Sequence, residues 1–214
     1  IAPEMGPIAT GLGEIFMWTV EALPGAKKPD GTPYSLTDLR TIQEWIIRPQ
    51  LRNTPGVTEI NTIGGYEKQF HVMPDPYKLI SQGLSFSEVL NALSKNNANM
   101  GAGYIERSGG QFLMRVPGQV ADLEDIRNIT IRTVQGTPIF IKDVAKVDFG
   151  KELRLGAATK NGEETVLGTV FMLMGENSRE VAQLAARKLE EVNGTLPEGV
   201  VARAIYDRTT LVDK

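Results

Sequence analysis

The 214-residue chain has no cysteine and one histidine, His71. The first absence excludes disulfides, thiolate nucleophiles and thiolate metal ligation, and leaves the redox compartment unread. The second removes the usual Ser–His–carboxylate arrangement, since His71 falls in an expected strand and no G-x-S-x-G elbow occurs. A closed zinc site, which wants four ligands drawn mostly from Cys and His, is excluded with it. Basic residues are not in surplus: 23 Lys and Arg face 26 Asp and Glu, for a net charge of −3. Such a chain has little with which to displace counterions from phosphates, so nucleic acid is not an expected partner. Neither G-x-x-x-x-G-K-[ST] nor a helix-opening G-x-G-x-x-G is present. No long apolar run exists either. The richest segment, Thr165 to Met174, is broken by Gly168 and falls well short of the roughly 20 residues that span a bilayer. A charged-then-apolar leader is also missing.

What is present is ordinary globular material. Hydrophobic residues make up 41% and charged residues 23%, enough to bury a core in one large or two small domains. The chain opens on Ile1, without an initiator Met, and stops at Lys214, as expected of a piece excised from a longer protein. Helix signals are the clearest. Ser35 with Asp38 caps a helix through Leu51, with Leu36, Leu39, Ile42, Trp45 and Ile46 as its apolar stripe. Ser85 with Glu88 is a capping box for a helix through about Asn96. Asn177 with Glu180 opens a third through Val192, and Asp75-Pro76 starts a short one stopped by Gly83. Strands are expected over Ile15–Glu21, Val57–Ile63, Phe70–Met73, Phe112–Val116, Ile129–Thr133, Thr165–Met174 and Val200–Tyr206, with weaker runs at Lys146–Phe149 and Leu155–Lys160.

A faint repeat organises these elements. Strand, helix, a Pro-Gly turn (Thr54-Pro55-Gly56) and strand occur near the start. Strand, helix, a similar turn (Leu196-Pro197-Glu198-Gly199) and strand occur near the end. Two βαβ units on one antiparallel sheet give an α+β fold of the split βαβ, ferredoxin-like kind. The stretch between them is too long for a loop and predicts an inserted α+β subdomain. The division expected is 1–64 with 157–214 for the split unit and 65–156 for the insert; one continuous α+β domain is the alternative.

Several segments, in order, resemble one family. Gly6-Pro7-Ile8-Ala9-Thr10-Gly11 through Phe16 resembles the segment that opens the second half of the first periplasmic loop in heavy-metal pumps of the resistance–nodulation–division (RND) family. Val57-Thr58-Glu59-Ile60-Asn61 with Gly64-Gly65, Asp75-Pro76 with Leu79, Asp143 to Val147, Asn161-Gly162-Glu163, and Tyr206-Asp207-Arg208-Thr209 with Leu211-Val212-Asp213 follow in register. The opening is most similar to the cobalt–zinc–cadmium branch. The resemblance implies a porter subdomain (1–64 and 157–214) and an inserted docking subdomain (65–156) that faces an outer-membrane channel. It implies an inter-protomer arm with its tip at Ile105, Glu106, Arg107, Ser108, Gly109, Gly110 and Gln111, reaching into the next protomer of a homotrimer. It also implies a periplasmic adaptor as partner, and a proton-driven antiporter in the inner membrane of a Gram-negative bacterium. The membrane would be met only through helices outside this chain. No enzyme activity and no cofactor is implied; a divalent heavy-metal cation would be the transported substrate.

A transported ion must bind and leave, which suits a few oxygen ligands in a wet cleft. Glu14 heads the otherwise apolar strand Ile15-Phe16-Met17-Trp18. Strict alternation puts Glu14, Phe16 and Trp18 on one face of it, and Glu59, Asn61 and Ile63 on one face of the next. If the strands are neighbours, Glu14, Glu59 and Asn61 converge on a metal cleft lined by Phe16 and Ile63, in the region that lines the substrate pocket of the related pumps. Against this, Glu14 reads equally well as a strand-end surface residue. Glu163-Glu164 and Glu190-Glu191 read as solvated surface. Met172 and Met174, two apart on one expected strand, and the scattered remaining methionines read as packing rather than a copper site. A stand-alone periplasmic metal-binding or adaptor domain is the competing function.

Overall fold

Ser35 and Ser85 do what their spacing predicts, and the elements follow from them. In a computed structural model of the chain, the backbone is described over residues 11–97, 100–107, 110–116, 119–153 and 156–212, and side chains over the same ranges apart from 100–116 and 211–212. In chain order, strand β1 is Glu14–Ala22. Helix α1 (Leu36–Ile42) runs through a π-helical turn (Gln43–Ile47) into α2 (Arg48–Arg52), and β2 is Val57–Ile63. Then come β3 (Lys68–Pro74), α3 (Pro76–Ser81), α4 (Phe86–Lys95), β4 (Met100–Arg107), β5 (Gly110–Val116), α5 (Leu123–Arg127), β6 (Thr130–Val134), β7 (Thr137–Phe140), α6 (Ile141–Val144) and β8 (Ala145–Lys151). The chain continues as β9 (Ala158–Lys160), β10 (Glu163–Met172), α7 (Ser178–Asn193) and β11 (Val200–Asp207). The described residues up to Lys68 and from Lys151 form one compact unit, and Gln69–Gly150 a second. The divisions fall at the outer ends of β3 and β8.

The first unit is built on a sheet ordered β11-β1-β10-β2, with β9 pairing to β10. Each neighbouring pair is antiparallel. β1 and β2 are therefore parallel with β10 between them, and β10 and β11 are parallel with β1 between them. This is two interleaved βαβ crossings. Both helical connections cover one face. Their buried residues Leu39, Ile42, Ile47, Leu51, Val181, Ala182, Ala185, Leu189 and Val192 share one cluster with Phe16, Trp18, Val20, Ile60, Val166 and Val170 of the sheet. Asn177 caps α7 by accepting from the backbone of Arg179 and Glu180. At the other end Asn193 exchanges two bonds with the backbone of Ala202, at 2.9 and 2.8 Å, and ties the helix to β11. The β9–β10 hairpin turns on Asn161 and Gly162, both at positive φ, as a two-residue type I′ loop requires.

The α1 stripe differs from the expected one. Trp45 is 80% exposed, whereas Gln43 is fully buried. The cause is the π turn, in which the Arg48 amide donates to the Gln43 carbonyl five residues back. The extra residue keeps Gln43, Ile47 and Leu51 inward along with Ile42 and the partly buried Ile46, and swings Trp45 outward.

In the second unit α3, α4, α5 and α6 close on the β6–β7 hairpin around Leu79, Val89, Ile126, Ile129, Ile139, Ile141 and Val144. Asp75 and Ser85 cap α3 and α4, and Gln135-Gly136 form the positive-φ turn between β6 and β7. The strand expected at Phe112–Val116 is β5, and it pairs antiparallel with β4 so that Arg107 faces Gly110. Of the expected arm tip, Ser108 and Gly109 lie outside the described residues, and the side chains of Ile105, Glu106, Arg107, Gly110 and Gln111 do as well.

Candidate functional site

The face of the first sheet turned away from its helices carries the candidate ligands, and a β-bulge puts the first of them there. Along β1 the pairing with β10 steps from Glu14↔Phe171 to Phe16↔Val170, so Ile15 is an extra residue. Ile15 and Phe16 then both point into the core, at 0% and 1% exposure, and Glu14 falls on the opposite face. The alternation expected from sequence therefore fails at this point. Glu14 does not share a face with Phe16 and Trp18, and Phe16 is not a cleft-lining residue. It packs beside Trp18, ring centroids 6.2 Å apart, beneath the helices.

The register assembles the uncovered face row by row. Phe171 stands opposite Glu14 on one side and Glu59 on the other. In the next row Thr169 stands between Met17 and Asn61, and beyond it Leu167 stands between Thr19 and Ile63. Strands in a sheet lie ~4.8 Å apart, so the Glu14 and Glu59 backbones are about 10 Å apart, with the Phe171 ring between them. Both glutamates are half-buried and Asn61 is exposed. Ile63 is 45% exposed and borders a hollow of about 400 Å³ that also takes in Arg40, Tyr66, Glu67 and Glu152. Among the described residues no three His, Asp or Glu side chains come close enough together to hold a metal ion. Two carboxylates and an amide oxygen on a wet surface offer hard, labile ligands, which bind a divalent cation weakly until further donors arrive.

The far end of the same face is a structural ion cluster. Burial works against the Glu21 carboxylate, but hydrogen bonds from Lys160 and Thr19, with the charges of Lys160 and Arg203, outweigh it and hold the pKa below the ordinary 4.5. Arg203 Nε lies 3.9 Å from Glu21. The side chains are mutually satisfied, so this end is a poor cation site. Among the described residues the methionines do not gather either. β10 ends at Met172, which packs toward the core, and Met174 lies beyond the strand, 59% exposed. The expectation that these two share a strand face therefore does not hold. His71 lies in β3 of the second unit, its ring over Gly150, where an added Cβ would come within 2.1 Å of Nδ1; it is a packing residue. Sequence reasoning missed Phe171, visible only once the register is known, and Gln43, a polar residue four beyond Leu39 on the inward face of the helix.

Comparison with known proteins gives a consistent answer. The family model described as "AcrB/AcrD/AcrF family" matches residues 1–214. The chain is 62% identical over its full length to the cobalt-zinc-cadmium resistance protein CzcA of Cupriavidus metallidurans, covering 20% of that protein. It is 44% identical over 99% of its length to the nickel-cobalt-cadmium resistance protein NccA of Alcaligenes xylosoxydans, covering 22% of it. With the cation efflux system protein CusA of Escherichia coli it shares 36% identity over its full length, covering 20% of that protein. Among solved structures, the crystal structure of a heavy metal efflux pump superposes on 97% of this chain with a TM-score of 0.79 at 27% identity, using 20% of that pump. The chain thus spans about a fifth of the length of the relatives it matches. None of these names is that of an enzyme.

Proposed function

Because the chain belongs to the AcrB/AcrD/AcrF family, that of the RND transporters, we propose that it is the porter and docking portion of a heavy-metal cation efflux pump, lying on the periplasmic side of a Gram-negative inner membrane. The first unit serves as the porter subdomain and the second as the docking subdomain toward an outer-membrane channel. The β4–β5 hairpin is the arm to the neighbouring protomer of a homotrimer, and a periplasmic adaptor completes the assembly. The cargo is a divalent cation of the cobalt, zinc and cadmium group, exchanged for protons by parts of the protein outside this chain. The relatives named for cobalt, zinc and cadmium support this choice of cargo. In support, no helix among the described residues is long and apolar enough to cross a membrane.

One observation carries the reading: two carboxylates, Glu14 and Glu59, occupy one row of an uncovered sheet face with Asn61 beside them. In the assembled pump other segments cover this face and supply the remaining ligands, so cation capture belongs to the whole and not to this piece. The test is made in the full-length protein carrying this chain, expressed in a zinc- and cobalt-sensitive host. Glu14→Gln and Glu59→Gln should each lower resistance to both metals several-fold at unchanged membrane abundance, because a neutral amide retains shape but not charge. Resistance equal to wild type in both variants removes this row from the cation path.

A further inference from the structure

We propose that Gln43 is a positioning residue for this site: its buried amide fixes the two strands that carry Glu14 and Glu59 relative to each other. The inference rests on the reading of the uncovered face as a cation path. On the helix-covered face, Trp18 of β1, Gly168 of β10 and Thr62 of β2 form one register row. Gly168 leaves the middle of that row empty, and the Trp18 indole fills it. A Cβ there would lie 2.3 Å from the ring and 2.9 Å from Gln43 Nε2. Gln43 closes the row from above. Its Oε1 accepts from the Trp18 indole N–H at 2.9 Å, and its Nε2 donates to Thr62 Oγ1 at 3.3 Å. One side chain thus bridges the first and third of three adjacent strands over the second. Three residues further along β10, on the opposite face, the same two strands present Glu14 and Glu59 on either side of Phe171.

An amide stands where the apolar stripe of α1 would continue. Gln43 lies four residues beyond Leu39, its own N–H donating to the Leu39 and Arg40 carbonyls, so helix geometry carries it to the inward face, and the five-residue turn that follows keeps Ile47 and Leu51 on that face with it. Gln43 and Trp18 are both fully buried. An apolar side chain of similar volume would fill the space without needing partners, so the amide contributes direction rather than bulk. The directions it sets are those of β1 and β2, and so the gap across which a cation meets both carboxylates.

The experiment uses the full-length pump in proteoliposomes, with zinc transport followed as a function of concentration. Gln43→Met keeps the volume and removes both bonds; Thr62→Val removes one partner without changing shape; Thr62→Ser restores the hydroxyl. Gln43→Met and Thr62→Val should raise KM roughly tenfold, as loss of a group that orients metal ligands does, with kcat unchanged, and Thr62→Ser should return KM to the wild-type value. If Gln43→Met does not assemble, Thr62→Val against Thr62→Ser decides alone. A wild-type KM in Thr62→Val and in any assembled Gln43→Met, or a loss confined to kcat, overturns the positioning role. Glu14→Gln and Glu59→Gln in the same assay separate the two ideas: raised KM there with none in the Gln43 and Thr62 variants leaves the cation path standing, and wild-type KM in the glutamate variants removes both.

Discussion

Gly168 is a glycine because Trp18 occupies the space that any side chain would need. Its backbone conformation is ordinary strand, so the requirement is one of volume, not of φ. Adding a methyl group forces the indole, and with it Gln43, out of place. Gly168→Ala should therefore destabilise the chain by about 1–3 kcal/mol, the usual penalty for an overfilled core, measured by urea denaturation of the 214-residue chain. Combined with Trp18→Phe, which removes the part of the ring that is struck, the loss should be smaller than the sum of the two single changes. Equal, additive losses would mean that the contact is relieved some other way. Nothing in the local sequence announces this. A glycine inside an apolar strand reads as an interruption, and only the register shows which ring fills it.

Elements with chemical punctuation were legible, and those that depend on irregular geometry were not. Ser35–Asp38, Ser85–Glu88 and Asn177 start helices where their spacing says they should, because each offers an oxygen to amides that have no partner within the helix. In α4 the Ser85 amide donates to Glu88 at 2.7 Å and the Glu88 amide to Ser85 Oγ at 3.3 Å. Ser85→Ala should cost about 1 kcal/mol of stability, seen as a lower midpoint in denaturant melts followed by circular dichroism; an unchanged midpoint would show that α4 is held by its packing alone. The expected stripe of α1 failed at Trp45 because a π turn has no composition of its own. The expected face of Glu14 failed because an extra residue in a strand leaves no mark on the hydrophobic pattern. The hairpin partner β4 was missed for a related reason: Met100 to Tyr104 alternates glycine with other residues, and up to Glu106 only Ile105 is β-branched, short of the density that marks a strand.

At the scale of the molecule, the two strand–helix–strand crossings on one sheet were readable from a repeat whose halves lie more than a hundred residues apart, because each crossing has its own helix and its own turn bearing a proline and a glycine. The site was only half readable. Glu14, Glu59 and Asn61 could be named from the sequence, but the face that Glu14 occupies depends on a bulge, and on the proposed reading other segments supply the remaining ligands. This sets an expectation for the chain by itself. Titrated calorimetrically with zinc, it should bind more weakly than micromolar, since two carboxylates about 10 Å apart at the backbone cannot close on one ion without help. One-to-one binding at micromolar strength or better that vanishes in Glu14→Ala would instead mark a complete pocket and a domain that works alone.

The bulge has a further consequence for how this segment could diverge. Downstream of Ile15 the ladder from Phe16 to Val20 is indifferent to what precedes it. A chain shortened by that single isoleucine would lose one core side chain but pair regularly, with Glu14 still opposite Phe171 and next to Phe16, so alternation would keep the glutamate on the face turned away from the helices. The extra residue therefore serves the core and not the carboxylate: it sets a second inward side chain beside Phe16, and a relative one residue shorter here would keep its acidic row while giving up part of the packing beneath the helices.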